Sequence, residues 1–239
     1  MKQWLSRLFG PALPALRRWQ RPAPFAAMDT APLSGEWGFD RGTPIDRHYI
    51  ERFLEEHAAD IRGRVLEVKN ADYTRRFGRG VQRSDVLDLS ASNPVATLVA
   101  DLSQPEQFPD AQFDCFVLTQ TMQFIYDARA VVASAHRLLA PGGVLLVTVP
   151  VLSRIAPRYG PTTEFWRFTQ ASCARLFGDA FGAANVEVRT HGNVLAAAAF
   201  LYGAALEEIP RTKLDVNDPF FPLIVSVRAT RTAAANQRR

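Results

Sequence analysis

Three carboxylates recur beside short apolar runs, at positions where they could grip a polar ligand. Glu67 follows Val65-Leu66, Asp85 adjoins Val86-Leu87, and Asp101-Leu102 closes the run Thr97–Ala100. A carboxylate accepts from two vicinal hydroxyls at once, which suits a ribose. Asp85 stands 18 positions after Glu67, close to the ~20-residue offset at which an acid beyond a nucleotide loop meets ribose hydroxyls. Residues 63–80 therefore lay out a first strand, a ligand loop and the approach to a second strand. If the three acids end three successive strands, they face one cleft at the carboxyl edge of a sheet, where open parallel sheets bind ligands. A capping or solubilising role is the alternative for any one of them.

Other chemistries lack their residues. Gly78-Arg79-Gly80 continues Val-Gln-Arg and precedes a strand, so no GxGxxG opens a helix. The residues four places after Tyr49, Tyr73, Tyr126, Tyr159 and Tyr202 are Phe, Phe, Ala, Thr and Leu, so a Tyr-x-x-x-Lys pair is absent. P-loop, HExxH and GxSxG motifs are missing as well, which disfavours NTPase, zinc-peptidase and α/β-hydrolase functions.

The elements that position the acids alternate between two periodicities. Thr43-Pro44-Ile45-Asp46 has the composition of a helix start, with Thr as cap and Pro at the first helical position. Ile50, Phe53, Leu54 and Ala58 follow as an apolar stripe, and Gly63 breaks the chain before the first strand. Asn93-Pro94 turns toward a third strand at 97–100. Phe113–Thr119 is almost continuously apolar, as expected of a strand covered on both faces. Ala128–Leu139 is amphipathic, Pro141-Gly142-Gly143 ends it, and Val144–Val149 is a fifth strand. A helix near 170–178, a strand at 186–189, an apolar helix near 194–207 and a last strand at 223–227 complete the order. Such alternation predicts an α/β fold, a mostly parallel sheet with helices on both faces.

Charge and composition narrow the setting. The net charge of +4 is concentrated in Lys2, Arg7, Arg17, Arg18 and Arg21 of residues 1–28, which hold no acid; beyond them 23 basic residues face 24 acidic ones. The predicted domain is near neutral, which argues against nucleic acid as a partner. Residues 1–38 read as a flexible basic leader, 39–229 as the domain and 230–239 as a disordered tail. Trp4, Leu5, Leu8 and Phe9 form a small amphipathic patch that could touch a membrane surface or a protein, although a disordered tail is the simpler expectation. Cys115 and Cys173 sit in apolar stretches without metal spacing, and no metal site is expected. No apolar run is long enough to span a bilayer, and no secretory signal is evident. These features point to a reducing, cytoplasmic setting.

Phe113-Asp114-Cys115-Phe116-Val117-Leu118, then Thr119-Gln120-Thr121-Met122-Gln123-Phe124, then His136-Arg137-Leu138-Leu139-Ala140-Pro141-Gly142-Gly143 together resemble the second half of a class I S-adenosylmethionine-dependent methyltransferase of the type 11 kind. With the acid-bearing runs the resemblance spans roughly 60–220. It implies a Rossmann-like seven-stranded sheet whose last strand is antiparallel, and S-adenosylmethionine as cofactor. It also implies that Glu67, Val68 and Lys69 meet the methionine part, Asp85 and Val86 the ribose, Asp101 and Leu102 the adenine, and Thr119 and Gln120 the floor beside the methyl group. One departure matters: the family's acid-x-Gly-x-Gly loop is here Glu67-Val68-Lys69-Asn70-Ala71. Asn70 is the residue best suited to a positive φ. The Lys69 side chain either pairs with the cofactor carboxylate or fills the cofactor's space.

A small-molecule or glycan acceptor is expected: Arg154, Arg158, Tyr159, Trp166 and Arg167 gather in the loop after the fifth strand, where family members cover the acceptor, and Arg and aromatics there suit an acidic or sugar-like molecule; a lid packed by its own aromatics is the alternative. His191, Tyr126 and Glu164 are the candidate bases, while His136 lies within an amphipathic helix. Thr119-Gln120-Thr121-Met122 stands where base-modifying relatives carry Asn/Asp-Pro-Pro-Tyr, which disfavours nucleobase methylation. A non-catalytic module of the same fold, having lost its cofactor, is the rival expectation.

Overall fold

The computed structural model describes residues 29–156 and 160–232. The chain divides into two compact units, Met1–Pro32 and Leu33–Arg239, and everything below concerns the second. The amphipathic patch at 4–9, Arg158, Tyr159 and the last residues of the tail lie outside the described residues. Residues 33–38, expected in the leader, belong to the second unit: Ser34 is buried and the Leu33 amide donates to the Tyr202 carbonyl. The domain therefore begins earlier than the composition change at 39 suggests.

Seven strands form one sheet in the order β3-β2-β1-β4-β5-β7-β6. They are β1 Gly63–Val68, β2 Val81–Asp88, β3 Leu98–Val99, β4 Phe113–Thr119, β5 Leu139–Pro150, β6 Val186–His191 and β7 Ile224–Thr230. β1 to β5 pair in parallel, and β7 runs antiparallel to β5 and β6. The expected α/β sheet with its antiparallel last strand is therefore present. The helices are α1 Ile45–Glu56, α2 Asp72–Phe77, α3 Ala128–Leu138, α4 Gln170–Phe181, α5 Val194–Tyr202 and α6 Arg211–Leu214.

Both sheet faces are covered, which explains why successive residues of β1 and β4 are apolar, with Glu67 and Asp114 as the interruptions. Leu66, Phe116 and Leu118 join a core with α3 and α4, whereas Val65, Cys115 and Val117 join one with α1 and α5. The two cysteine thiols are buried and unpaired.

Local chemistry differs from expectation at three ends. Thr43 does not cap α1, because its amide and hydroxyl both bond Glu207, at 2.9 and 2.7 Å. Pro141-Gly142-Gly143 lies inside β5, whose register with β4 shifts there, and α3 already stops at Leu138. The apolar helix α5 buries only one face: Ala196 and Phe200 pack inward while Val194 and Leu201 are exposed. Gly63 adopts φ 64°, and an added Cβ would lie 2.2 Å from an Asp114 carboxylate oxygen, so the break before β1 requires glycine.

Candidate active site

The end of β1 builds one wall of the site. Glu67, buried, accepts hydrogen bonds from the Tyr73 and Thr74 amides and the Thr74 hydroxyl, at 3.1, 2.7 and 2.7 Å. Burial pushes its pKa up although those three bonds oppose the rise. Its job is thus to tie the loop to the first turn of α2, a positioning task. The positive φ falls on Lys69, at 74°, and not on Asn70. Asn70 instead accepts the Asp72 amide through its side chain at 3.1 Å. Lys69 takes the left-handed conformation because its amide donates to Leu87 and its carbonyl accepts from Asn93, at 2.8 and 2.7 Å.

Asp85 does not reach the strand end. It pairs across from Leu66 in mid-strand, and β2 continues three residues beyond it to Asp88. Its carboxylate is buried between Arg64 and Arg83, at 2.8 and 3.0 Å, and accepts the Thr97 hydroxyl at 2.9 Å. Burial alone would raise its pKa; the bonds from Arg64, Thr97 and Arg83 outweigh that and hold it below the usual carboxylate value. Asp85 therefore clamps the bottom of the sheet, and Val86 is core beside it. Asp88 is the acid at the carboxyl end, held by the Ser90 amide and the Asn93 side-chain amide at 2.9 and 2.6 Å. Sequence reasoning missed it, although it lies 21 positions after Glu67, nearer the ~20-residue offset than Asp85 does.

Glu67, Val68, Lys69, Asp88, Thr119 and Gln120 line one cavity of about 1090 Å³, at the upper end of the ~300–1,000 Å³ range of small-molecule sites. Asp101 and Leu102 do not line it: Asp101 accepts the Ser103 amide and hydroxyl at 2.8 Å each, and Leu102 is core. A second cavity of about 390 Å³ adjoins the first, sharing Phe39, Pro44, Arg47, Lys69, Gln120 and Phe124 as common wall. Trp37, Asp46, Gln123 and Glu164 are among the residues that line the second cavity alone. None of these except Glu164 was singled out for function from the sequence, since their convergence is purely tertiary.

The remaining expected residues scatter. Glu164 reaches the second cavity, but its buried carboxylate is held by Arg167 and by the Ala156 amide, both at 2.7 Å. Arg167 also donates to the carbonyls of Ser153, Arg154 and Trp166, so it straps the loop and is not presented to an acceptor. Trp166 stacks on exposed Tyr126 with ring centroids 5.9 Å apart and donates to the Ile125 and Tyr126 carbonyls. Neither ring lines either cavity. His191 bonds the Ser226 hydroxyl at 2.7 Å and lines a different cavity that shares no residue with the other two. Burial lowers its pKa to about 4, so it stays neutral near pH 7. His191 and Tyr126 are thus set aside as bases. Among the described residues no cluster of His, Cys, Asp and Glu could hold a metal ion, and no helix is long and apolar enough to cross a membrane.

Residues 51–147 match the family model of the methyltransferase domain, type 11. The chain has the class I methyltransferase fold. A SAM-dependent methyltransferase from Archaeoglobus fulgidus aligns over 77% of this chain and 94% of its own, with a TM-score of 0.52 at 11% identity. An S-adenosylmethionine-dependent methyltransferase from Mesorhizobium loti aligns over 78% and 98%, with a TM-score of 0.51 at 13% identity. Comparison with curated proteins gives no match. The family match takes in β1 to β4 and most of β5, and with them the strand ends that line the larger cavity.

Proposed function

We propose that this methyltransferase-fold chain moves a methyl group from S-adenosylmethionine to an oxygen or nitrogen of a small-molecule or glycan acceptor. The observation that carries the proposal is the shared wall: Lys69 and Gln120 line both cavities, so a cofactor in the larger one and an acceptor in the smaller are neighbours. Adjacency is what such a displacement needs most, because alignment of the reacting atoms supplies much of the rate.

The residues present fit the cofactor. Asp88 offers carboxylate lone pairs at the end of β2 for ribose hydroxyls. Exposed Leu89, lining the same cavity, offers an apolar surface to a purine. The Lys69 ammonium is the charge complement of an amino-acid carboxylate. When bound, S-adenosylmethionine supplies an electrophilic methyl on sulfur, and the protein's tasks are to orient the acceptor, exclude water and accept a proton. The buried thiols fit cytoplasmic action, and the near-neutral domain fits an acceptor other than nucleic acid.

Titrating S-adenosylhomocysteine calorimetrically into wild type and Asp88→Ala tests this. Wild-type binding that the substitution weakens at least about tenfold, or 1.4 kcal/mol, supports it; a wild type that binds nothing refutes it. Lys69 on both cavities also favours the rival, a module that has lost its cofactor. That rival predicts no wild-type binding and its appearance in Lys69→Gly.

A further inference from the structure

The smaller cavity carries more unsatisfied polar chemistry than a passive acceptor pocket needs. Three of its lining residues hold buried atoms without hydrogen-bond partners: Asp46 Oδ1, Gln120 Nε2 and Gln123 Oε1. A buried polar group left unpaired costs about 1–3 kcal/mol, so three on one cavity ask for a ligand that pairs them. Gln123 donates its Nε2 to the Gln120 carbonyl at 2.9 Å, which leaves the carbonyl end of its amide unmatched. Gln120 is itself held in the left-handed region, φ 46°, with its amide on the Thr148 carbonyl at 2.8 Å.

Asp46 is the least expected of the three. It occupies the first turn of α1, where an acid normally serves the helix dipole from solvent. Here it is 8% exposed. Its other oxygen stands 3.9 Å from Arg47 Nη1, too far for a hydrogen bond. Because Thr43 is bonded to Glu207, the turn ahead of α1 offers Asp46 no hydroxyl either. The charges lining the cavity do not sum in an anion's favour: Glu36, Asp46 and Glu164 stand against Arg47 and Lys69, and Arg167 is committed to Glu164. Trp37 and Phe124 add flat apolar surface.

We infer that Asp46 is the catalytic base of this site and that its acceptor is a neutral, hydroxyl-rich molecule held by Gln120 and Gln123. The inference rests on the methyltransferase reading above. As the acceptor oxygen forms its bond to the methyl carbon, the carbon–sulfur bond breaks and its electron pair stays on sulfur. The hydroxyl proton passes to the Asp46 carboxylate and leaves to water after product release. Burial pushes the Asp46 carboxyl above its usual range; the Arg47 charge and the backbone amides of Arg47 and Asp46 oppose the rise, and Glu51 reinforces it. Tyr73 of α2 bonds the Arg47 side chain, and its own pKa is raised by burial, with the Arg47 charge opposing and the Asp46 charge reinforcing the rise. A carboxyl moved toward neutral pH is a better proton acceptor there.

The test uses the full chain, S-adenosylhomocysteine, and three defined probes: methyl glucoside and myo-inositol as neutral polyols, and glucuronate as the anionic control. Ligand-observed NMR reads acceptor binding with S-adenosylhomocysteine saturating, and label transfer from S-adenosylmethionine reads turnover. Wild type should bind a neutral probe in preference to glucuronate. Asp46→Asn should bind S-adenosylhomocysteine and that probe within about threefold of wild type yet transfer at least about 100-fold more slowly, the size of a lost general base. A wild type blind to S-adenosylhomocysteine refutes the methyltransferase reading before any acceptor is added, and this inference with it. Binding of S-adenosylhomocysteine without any neutral probe, or with glucuronate preferred, overturns the acceptor class alone. An Asp46→Asn variant that transfers within about fivefold of wild type overturns the base. If that variant loses S-adenosylhomocysteine binding, Asp46→Glu decides: recovered binding and transfer support the base, and failure of either makes Asp46 structural.

Discussion

Lys69 and Asp88 share one partner across the ends of β1 and β2. The Asn93 side-chain amide donates to the Lys69 carbonyl at 2.7 Å and to Asp88 Oδ2 at 2.6 Å. One side chain therefore fixes both the left-handed residue and the acid assigned to the ribose. Asn93→Ala should cost about 1 kcal/mol of stability, a typical net hydrogen bond. It should also weaken S-adenosylhomocysteine about tenfold by calorimetry. Asn93→Asp, which sets a second carboxylate against Asp88, should weaken it further.

The Lys69 backbone itself can be relieved. A non-glycine residue in the left-handed region costs roughly 1–2 kcal/mol, while glycine loses about 0.5–1 kcal/mol to extra unfolded-state entropy. Lys69→Gly should therefore raise stability by up to about 1 kcal/mol, or a few degrees in Tm for a chain of this size. Cofactor affinity should nevertheless fall about tenfold as the ammonium is lost, so stability and affinity move in opposite directions. Thermal melts and calorimetry on the same samples read both.

Asp85 and Asp88 should separate stability from binding. Asp85→Ala removes the common partner of Arg64, Arg83 and Thr97. Both arginines retain access to water, so the loss should be about 2 kcal/mol, below the 3–5 kcal/mol of a fully buried pair. Affinity for S-adenosylhomocysteine should change less than about threefold, in contrast to the loss expected of Asp88→Ala. Urea titration gives the first quantity and calorimetry the second.

Arg167 should matter more than its exposed neighbours. Its removal leaves the Glu164 carboxylate, 3% exposed, without its cation and frees three loop carbonyls. Arg167→Ala should destabilise by about 3 kcal/mol, and Arg167→Ala combined with Glu164→Gln by less, because the orphaned charge is gone. A double-mutant cycle in urea measures the difference.

His191 sets a pH dependence of stability, not of turnover. Its folded pKa, lowered to about 4 by burial, lies below the ordinary ~6.5 of an unfolded histidine. The unfolded state therefore binds the proton first. The associated stability is complete above about pH 6.5 and is lost as pH falls toward 4, by up to about 3 kcal/mol. His191→Gln should flatten that decline in denaturation midpoints between pH 7 and 4. The acid limb of the transfer rate should stay where it was.

The architecture was legible because it depends on local pattern. Short apolar runs at 65–68 and 113–119, each broken by one acid, specify strands buried on both faces, and alternation with helical stripes specifies a parallel sheet. Thr119 and Gln120 were named through the family resemblance and not through pattern; they stand at the end of a buried parallel strand and line the larger cavity. Register was another matter. Whether β2 ended at Asp85 or Asp88 depended on pairing with β1; offsets of 18 and 21 residues from Glu67 bracket the usual spacing, and only the register decides between them.

The acceptor-side residues come from the widest sequence separations: Trp37, Asp46, Gln123 and Glu164 meet only when α1 and the loop after β5 close over the sheet. Their types promised nothing particular, because an aspartate in a first helical turn and a glutamine after a strand are ordinary surface residues until neighbours remove the water. The sequence by itself determined a mostly parallel sheet with helices on both faces and the edge at which such sheets take ligands, since those follow from periodicity. Tertiary structure alone decided which carboxylates end in ion pairs and which are left facing a cavity, because burial and partnership belong to contacts and not to residue types.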